Sequence, residues 1–180
     1  LGWSDIFGTS SVSTGDLNGD GVNDLVVGAI WDDDGGSGWS FNAGAVYVIF
    51  MTTSGLIESA QKISNSYGGL SSFYSLDSAD IFGSSCGSIG DLDSDGVKDL
   101  VVGTWIWNYA EAVYLLTLTT TGLVKSAQKI STSYGGLSSF YTLASDDLFG
   151  ISSGSIGDLD GDGVNDLVVG AYHDDDGSSK

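Results

Sequence analysis

Side-chain oxygens recur at alternate positions of three short Gly-containing loops. The first loop carries Asp16, Asn18, Asp20 and Asp24, the second Asp91, Asp93, Asp95 and Asp99, and the third Asp158, Asp160, Asp162 and Asp166. The shared pattern is Asp-x-[Asp/Asn]-x-Asp-Gly-x-x-Asp. In a tightly wound loop, oxygens at positions one, three, five and nine converge on one point. A backbone carbonyl at position seven (Val22, Val97, Val164) adds a further donor. Calcium takes about 6–8 hard oxygen ligands at roughly 2.3–2.6 Å, so the expectation is one Ca2+ per loop, three in all. The Gly at position six (Gly21, Gly96, Gly163) permits the sharp turn. Zinc is disfavoured because no Cys or His falls within the loops. Magnesium suits the donors less well, since it demands a smaller and stricter shell. The loops hold three, four and four of the 24 acidic residues. Crowded carboxylates repel one another, so stability is expected to depend on the cation.

The elements that position these loops are strands. A helix-flanked calcium loop needs a bidentate Glu at position twelve. Here that position is Val27, Val102 or Val169, each inside a Val-Val run. Short Val-, Ile-, Leu-, Tyr- and Thr-rich segments alternate with Gly/Ser/Asp turns, Pro is absent, and no helical apolar period is sustained. In the middle of the chain, strands are expected over 82–89, 100–104, 111–118 and 124–130, with a turn at 119–122. Four short antiparallel strands make one propeller blade.

The pattern is an internal repeat. Asp5-Ile6-Phe7-Gly8 returns as Asp80-Ile81-Phe82-Gly83 and as Asp147-Leu148-Phe149-Gly150, each time leading its Asp loop by the same interval. Gln61-Lys62-Ile63-Ser64 and Tyr67-Gly68-Gly69-Leu70 recur from Gln128 and from Tyr134. The copies divide the chain into 1–79, with a longer Asp/Gly/Trp loop, 80–146, and 147–180 as the first part of a third unit. The ends fall in mid-repeat, position 1 is Leu, and no leader is visible, so an internal window of a larger protein is expected.

The Phe-Gly phrase, the Asp loop and the Val27-Gly28-Ala29 or Val169-Gly170-Ala171 that follows resemble FG-GAP repeats, the units of integrin α-subunit β-propellers. The likeness covers essentially the whole chain and is nearest to secreted bacterial or environmental versions. The middle copy departs from it with Gly103-Thr104, and no Pro follows the Gly-Ala. The resemblance implies an all-β chain of four-stranded antiparallel blades. About two and a half repeats are present, as part of a larger propeller or an open repeat array. It also implies extracellular or cell-surface roles in adhesion, ligand display or structure.

Charge excludes other classes. Five lysines and no Arg against 24 acids give a net charge of −19, which leaves no footprint for nucleic acid or anionic lipid. No apolar run is long enough to span a membrane. The single Cys86 cannot form an intrachain disulfide. Gly83-Ser84-Ser85-Cys86-Gly87 and Gly150-Ile151-Ser152-Ser153-Gly154 match Gly-x-Ser-x-Gly, but that elbow needs a strand-to-helix turn, and the one His173 lies in an acidic loop. No enzyme is expected. Asp32-Asp33-Asp34-Gly35 and Asp174-Asp175-Asp176-Gly177 read as solvated acidic turns, with a further cation site, or completion of the first and third sites, as the alternative. Trp31, Trp39, Trp105 and Trp107 read as packing between blades, with stacking on sugars as the alternative. An accessory propeller on a secreted enzyme, with the catalysis outside this window, is a third-ranked reading; two functions lead, the first slightly ahead. One is an extracellular calcium-binding structural repeat protein assembling into a fibre or surface array through neighbouring repeats or copies of itself. The other is an adhesion or glycan-binding propeller module of a secreted or cell-surface protein.

Overall fold

The computed structural model describes residues 1–2, 4–34, 42–78, 80–105, 111–144 and 146–175. Strands β1 (Phe7–Gly15), β2 (Asp24–Ala29), β3 (Ala45–Met51) and β4 (Ile57–Ser64) form one antiparallel sheet in that order. Strands β5 (Ser85–Gly90), β6 (Asp99–Thr104), β7 (Ala112–Leu118) and β8 (Val124–Ile130) form a second sheet of the same order. Strands β9 (Phe149–Gly157) and β10 (Asp166–Ala171) pair as a third. No α-helix occurs among the described residues; single 3-10 turns cover Leu70–Ser72 and Leu137–Ser139. No described helix is long and apolar enough to cross a membrane. The fold is all-β, built of four-stranded antiparallel blades.

Register repeats with the sequence. Val27 faces Tyr47 across β2 and β3, and Val102 faces Tyr114 across β6 and β7. Every residue of β6 is buried, because the second sheet has a neighbour on either side: β5 packs against both β1 and β9. Leu100 is therefore 0% exposed, whereas its counterpart Leu25 is 36% exposed. Leu17, Val48, Phe50, Ile63, Leu70, Phe82, Tyr114 and Leu116 share one core that runs across the first two sheets. Phe82 and Tyr74 each meet Tyr114 edge-on, with ring centroids 5.7 and 5.6 Å away.

Two devices join one sheet to the next. The Ser10 hydroxyl donates to the Gly83 carbonyl at 2.8 Å, and the Ser85 hydroxyl donates to the Gly150 carbonyl at 2.9 Å. Beneath these bonds the backbones touch: a Cβ on Gly28 would lie 2.1 Å from the Gly83 oxygen, and one on Gly103 2.0 Å from the Gly150 oxygen. The glycines of the Phe-Gly and Val-Gly phrases are thus where consecutive blades meet.

The expected first strand of the middle repeat begins three residues late, at Ser85 rather than at residue 82. Ile81 and Gly83 take positive φ (53° and 94°), which breaks the extended run, and Phe82 instead bridges Gly44 of the preceding unit. Ile6 and Leu148 hold the same left-handed conformation as Ile81. That conformation is costly for a β-branched residue, so the surrounding contacts enforce it.

Candidate metal centre

Each Asp loop is a hairpin turn. Its first acid directly follows β1, β5 or β9, and its ninth-position acid opens β2, β6 or β10. The tight winding comes from left-handed residues at positions four and six. Gly19 and Gly21 have φ of 85° and 86°, and Gly161 and Gly163 have 80° and 92°. The second loop uses Gly96 at 91° but has Ser94 at 61° where the others have Gly.

The first-position acid gathers the amides of its own loop. Asp16 Oδ1 accepts from the Gly19 and Asp20 N–H groups at 2.7 and 3.0 Å, and Oδ2 accepts from Gly21 at 2.8 Å. Asp158 makes the corresponding bonds with Gly161, Asp162 and Gly163. Asp91 accepts from Asp95 and Gly96. The ninth-position acid ties the loop to the sheet. Asp99 is fully buried and accepts from Leu92 at 2.7 Å and from Leu118, at the end of β7, at 3.0 Å. Asp24 does the same with Leu17 and Met51, and Asp166 accepts from Leu159. Burial pushes the Asp99 carboxyl up. The two amides oppose that shift, and the nearby charges of Asp93 and Asp95 add to it.

One carboxylate oxygen from each of Asp91, Asp93 and Asp99 lies within 4.8 Å of the others, and Asp158, Asp160 and Asp166 form the same cluster. Positions one, three and nine therefore converge. The fifth-position acids Asp95 and Asp162 lie outside these clusters and accept from the Val97 and Val164 N–H groups, each at 2.8 Å. In the first loop Asn18 holds position three, its amide nitrogen donating to Asp20 at 3.1 Å and its oxygen accepting from the Asp20 N–H at 3.0 Å. A carboxylate has about four acceptor positions, so the bonded acids keep capacity for a cation. The donor set is hard oxygen throughout, which fits calcium and not a thiolate- or imidazole-seeking metal.

A basic residue missed in the sequence sits at the mouth of the second loop. Lys125, one residue into β8, donates to Asp93 Oδ2 at 2.8 Å and to Asp95 Oδ2 at 2.7 Å. Its ammonium holds the exposed Asp95 carboxyl below the usual carboxylate range. Aligning the two copies of the Ser-Ala-Gln-Lys phrase would have exposed it, because the matching position in the first repeat is Glu58.

The first Asp-Asp-Asp run differs from both readings made of it. Asp32 is 4% exposed, and its carboxylate takes the Tyr47 hydroxyl at 2.6 Å and the Lys62 ammonium. Lys62 also pairs with Asp34 at 2.7 Å, and Asp34 accepts from the Ser64 hydroxyl. Burial works to raise Asp34, but Lys62, Ser64 and Ser66 outweigh it and hold the carboxyl low. The turn is thus closed by an internal lysine. That lysine lies 5.8 and 5.1 Å from the Tyr47 and Tyr67 ring centres. Lys129 repeats the position between Tyr114 and Tyr134, which explains why Gln-Lys-Ile-Ser and Tyr-Gly-Gly recur together. Gly35, Asp176 and Gly177 lie outside the described residues, as do Trp39 and Trp107.

Neither Gly-x-Ser-x-Gly match forms an elbow. Ser85 commits its hydroxyl to Gly150 and to Ser153 Oγ at 2.8 Å, and His173 is exposed with its ring against Tyr172. Cys86 is a partner of the Ser10 hydroxyl at 3.1 Å, and burial pushes its thiol up to about 11.

The comparisons with known proteins agree with this anatomy. A family model described as FG-GAP repeat matches residues 8–49 and 150–179. The chain is 32% identical over 170 residues to integrin alpha-5 of Xenopus laevis, covering 90% of this chain and 14% of that protein. It is 34% identical over 174 residues to integrin alpha-PS5 of Drosophila melanogaster, covering 92% and 15%. It is 30% identical over 172 residues to integrin alpha-4 of Xenopus laevis, covering 92% and 14%. The chain therefore spans about one seventh of the length of these relatives. Blades joined by Phe-Gly and Val-Gly contacts, an Asp loop on each leading hairpin and these matches together place the chain in the FG-GAP repeat family.

Proposed function

We propose that this chain is a calcium-loaded arc of an adhesion-type β-propeller working outside the cell. The observation that carries the reading is the recurrence of one oxygen-donor loop at the same turn of three consecutive hairpins, with positions one, three and nine converging in the second and third. Calcium would be held by Asp16, Asn18, Asp20 and Asp24 with the Val22 carbonyl. The second ion would take Asp91, Asp93, Asp95 and Asp99 with Val97, and the third Asp158, Asp160, Asp162 and Asp166 with Val164. The ion neutralises acids that the fold forces together and fixes the turn between two strands. Repeat boundaries at 79/80 and 146/147 keep each ion within one unit. The chain's own role on this reading is binding and scaffolding, not catalysis, and its partners are neighbouring blades and a cell-surface or glycan ligand.

A structural array is the second reading. It draws on the junction between blades being used twice with the same Ser–Gly bond, as head-to-tail growth needs. Electron microscopy of the native, full-length material separates the two. Discrete rings support the adhesion propeller, and continuous filaments with an axial repeat overturn it in favour of the array. Isothermal calcium titration tests the shared mechanism, and no binding at millimolar calcium would sink it.

A further inference from the structure

The second loop differs from the others in ways that bear on how it takes the ion. At the second loop the Lys125 ammonium already bridges the carboxylates of positions three and five, at 2.8 and 2.7 Å. The matching residue of the first repeat is Glu58, which lines one groove together with Asn18 of the first loop. The same strand position therefore places a positive charge on the second loop and a negative charge in the groove beside the first. Two further differences fall on the second loop. Lys98 stands at position eight, where Asn23 and Asn165 stand in the others. Ser94 holds the left-handed position that Gly19 and Gly161 hold elsewhere, and a side chain there adds backbone strain.

We propose that Lys125 is a tethered counter-ion that makes the second loop a weaker calcium site than the first, ordered and charge-compensated before calcium arrives. The inference rests on the calcium reading above. Calcium can take Asp93 only if Lys125 swings away or stays nearby as a like charge. A unit positive charge about 6 Å from a divalent ion, in water-like dielectric, weakens its binding about tenfold. The change from Glu to Lys acts twice in the same direction. Asp93 in place of Asn18 gives the second loop one more carboxylate, which offsets one of these two steps, so the second loop should bind calcium about tenfold more weakly than the first, and added salt should narrow the gap. Its hairpin then keeps its shape at calcium concentrations that leave it empty, while the first loop responds to the ion.

The test is calorimetric calcium titration of the chain, its Lys125→Met and Lys125→Glu variants, and the reciprocal Glu58→Lys. The wild type should show a tight class and one weaker site. Lys125→Met should tighten that site about tenfold, Lys125→Glu should tighten it further, and Glu58→Lys should move a tight site into the weak class. Thermal unfolding in chelator gives a readout independent of binding: Lys125→Met should lower the Tm there, because the loop loses its internal cation. Three equivalent sites with no response to Lys125→Met, and an unchanged Tm in chelator, would overturn the counter-ion while leaving the calcium reading intact. No calcium binding by any variant would overturn the calcium reading itself and this inference with it.

Discussion

Asp99 and Asp93 belong to the same carboxylate cluster, yet only the removal of Asp93 should depend on calcium for its effect. Asp99 is fully buried and accepts two amides, Leu92 at one end of the loop and Leu118 at the end of β7. Asp99→Ala orphans both. Each buried unpaired amide costs about 1–3 kcal/mol. Removing a carboxyl whose ionisation burial already opposes returns part of that, leaving a net loss of about 2–4 kcal/mol. For a chain of this length the loss corresponds to a fall of about 5–15 °C in Tm. It should appear in chelator as well as in calcium, because the clasp is made of protein alone. Asp99→Asn should lie between, since its one amide oxygen can serve only one of the two N–H groups. Asp93 is exposed, and its side chain is held by Lys125. Asp93→Ala gives up its pair with Lys125 but also relieves its repulsion of Asp99, so the Tm in chelator should change little and the main loss should appear when calcium is present; Asp95→Ala should behave alike. The assay is thermal unfolding by circular dichroism, with and without chelator. An Asp99→Ala variant as stable as wild type in chelator, or an Asp93→Ala loss of equal size in both conditions, refutes the division of labour.

Three further outcomes follow from the same geometry. Burial lifts the Asp80 carboxyl to about 6, against the pull of the Asp77 amide and Lys129. A raised acid costs stability above its folded value and nothing below its unfolded one. Asp80→Asn should therefore gain about 2 kcal/mol over wild type at neutral pH, a gain that fades to zero as pH falls from about 6 to 4 in urea titrations. Ser94→Gly should stabilise the second loop by about 0.5–1 kcal/mol by relieving its left-handed backbone, read as a higher urea midpoint at unchanged slope. Gly103→Ala drives a methyl into the Gly150 carbonyl and should cost about 1–3 kcal/mol, whereas the same change at Gly154, where an added Cβ meets nothing within 4 Å, should cost less.

The strands and the three loops were legible because they depend on local pattern. Val-Val runs, alternation and Gly/Asp turns are read within about ten residues, and the repeat supplied the register. What sequence reading missed depends on contacts between distant residues. Lys62 reaches back thirty residues to Asp32, so a run read as solvated acid or a cation site is an internal ion pair under two tyrosines. Ser10 meets Gly83 only because blades stack. The left-handed turn at Ile81, imposed on a β-branched residue, ends the strand that alternation had extended to Phe82. The spacing of the Asp loops placed positions one, three and nine together, but not the turning of Asp95 and Asp162 toward their own backbone amides. Comparing the copies position by position, Glu58 against Lys125 and Gly19 against Ser94, is the signal that marks the second loop as different.

Calcium held in these loops should stabilise the blades. Ligand at a hundredfold over its Kd adds about 2.7 kcal/mol per site to the folded state. Melting the chain in chelator and in millimolar calcium tests this directly. Tm should rise by at least about 5 °C on adding calcium, a rise largely abolished when Asp16, Asp91 and Asp158 are all changed to Asn. An unchanged Tm across that calcium range would contradict it.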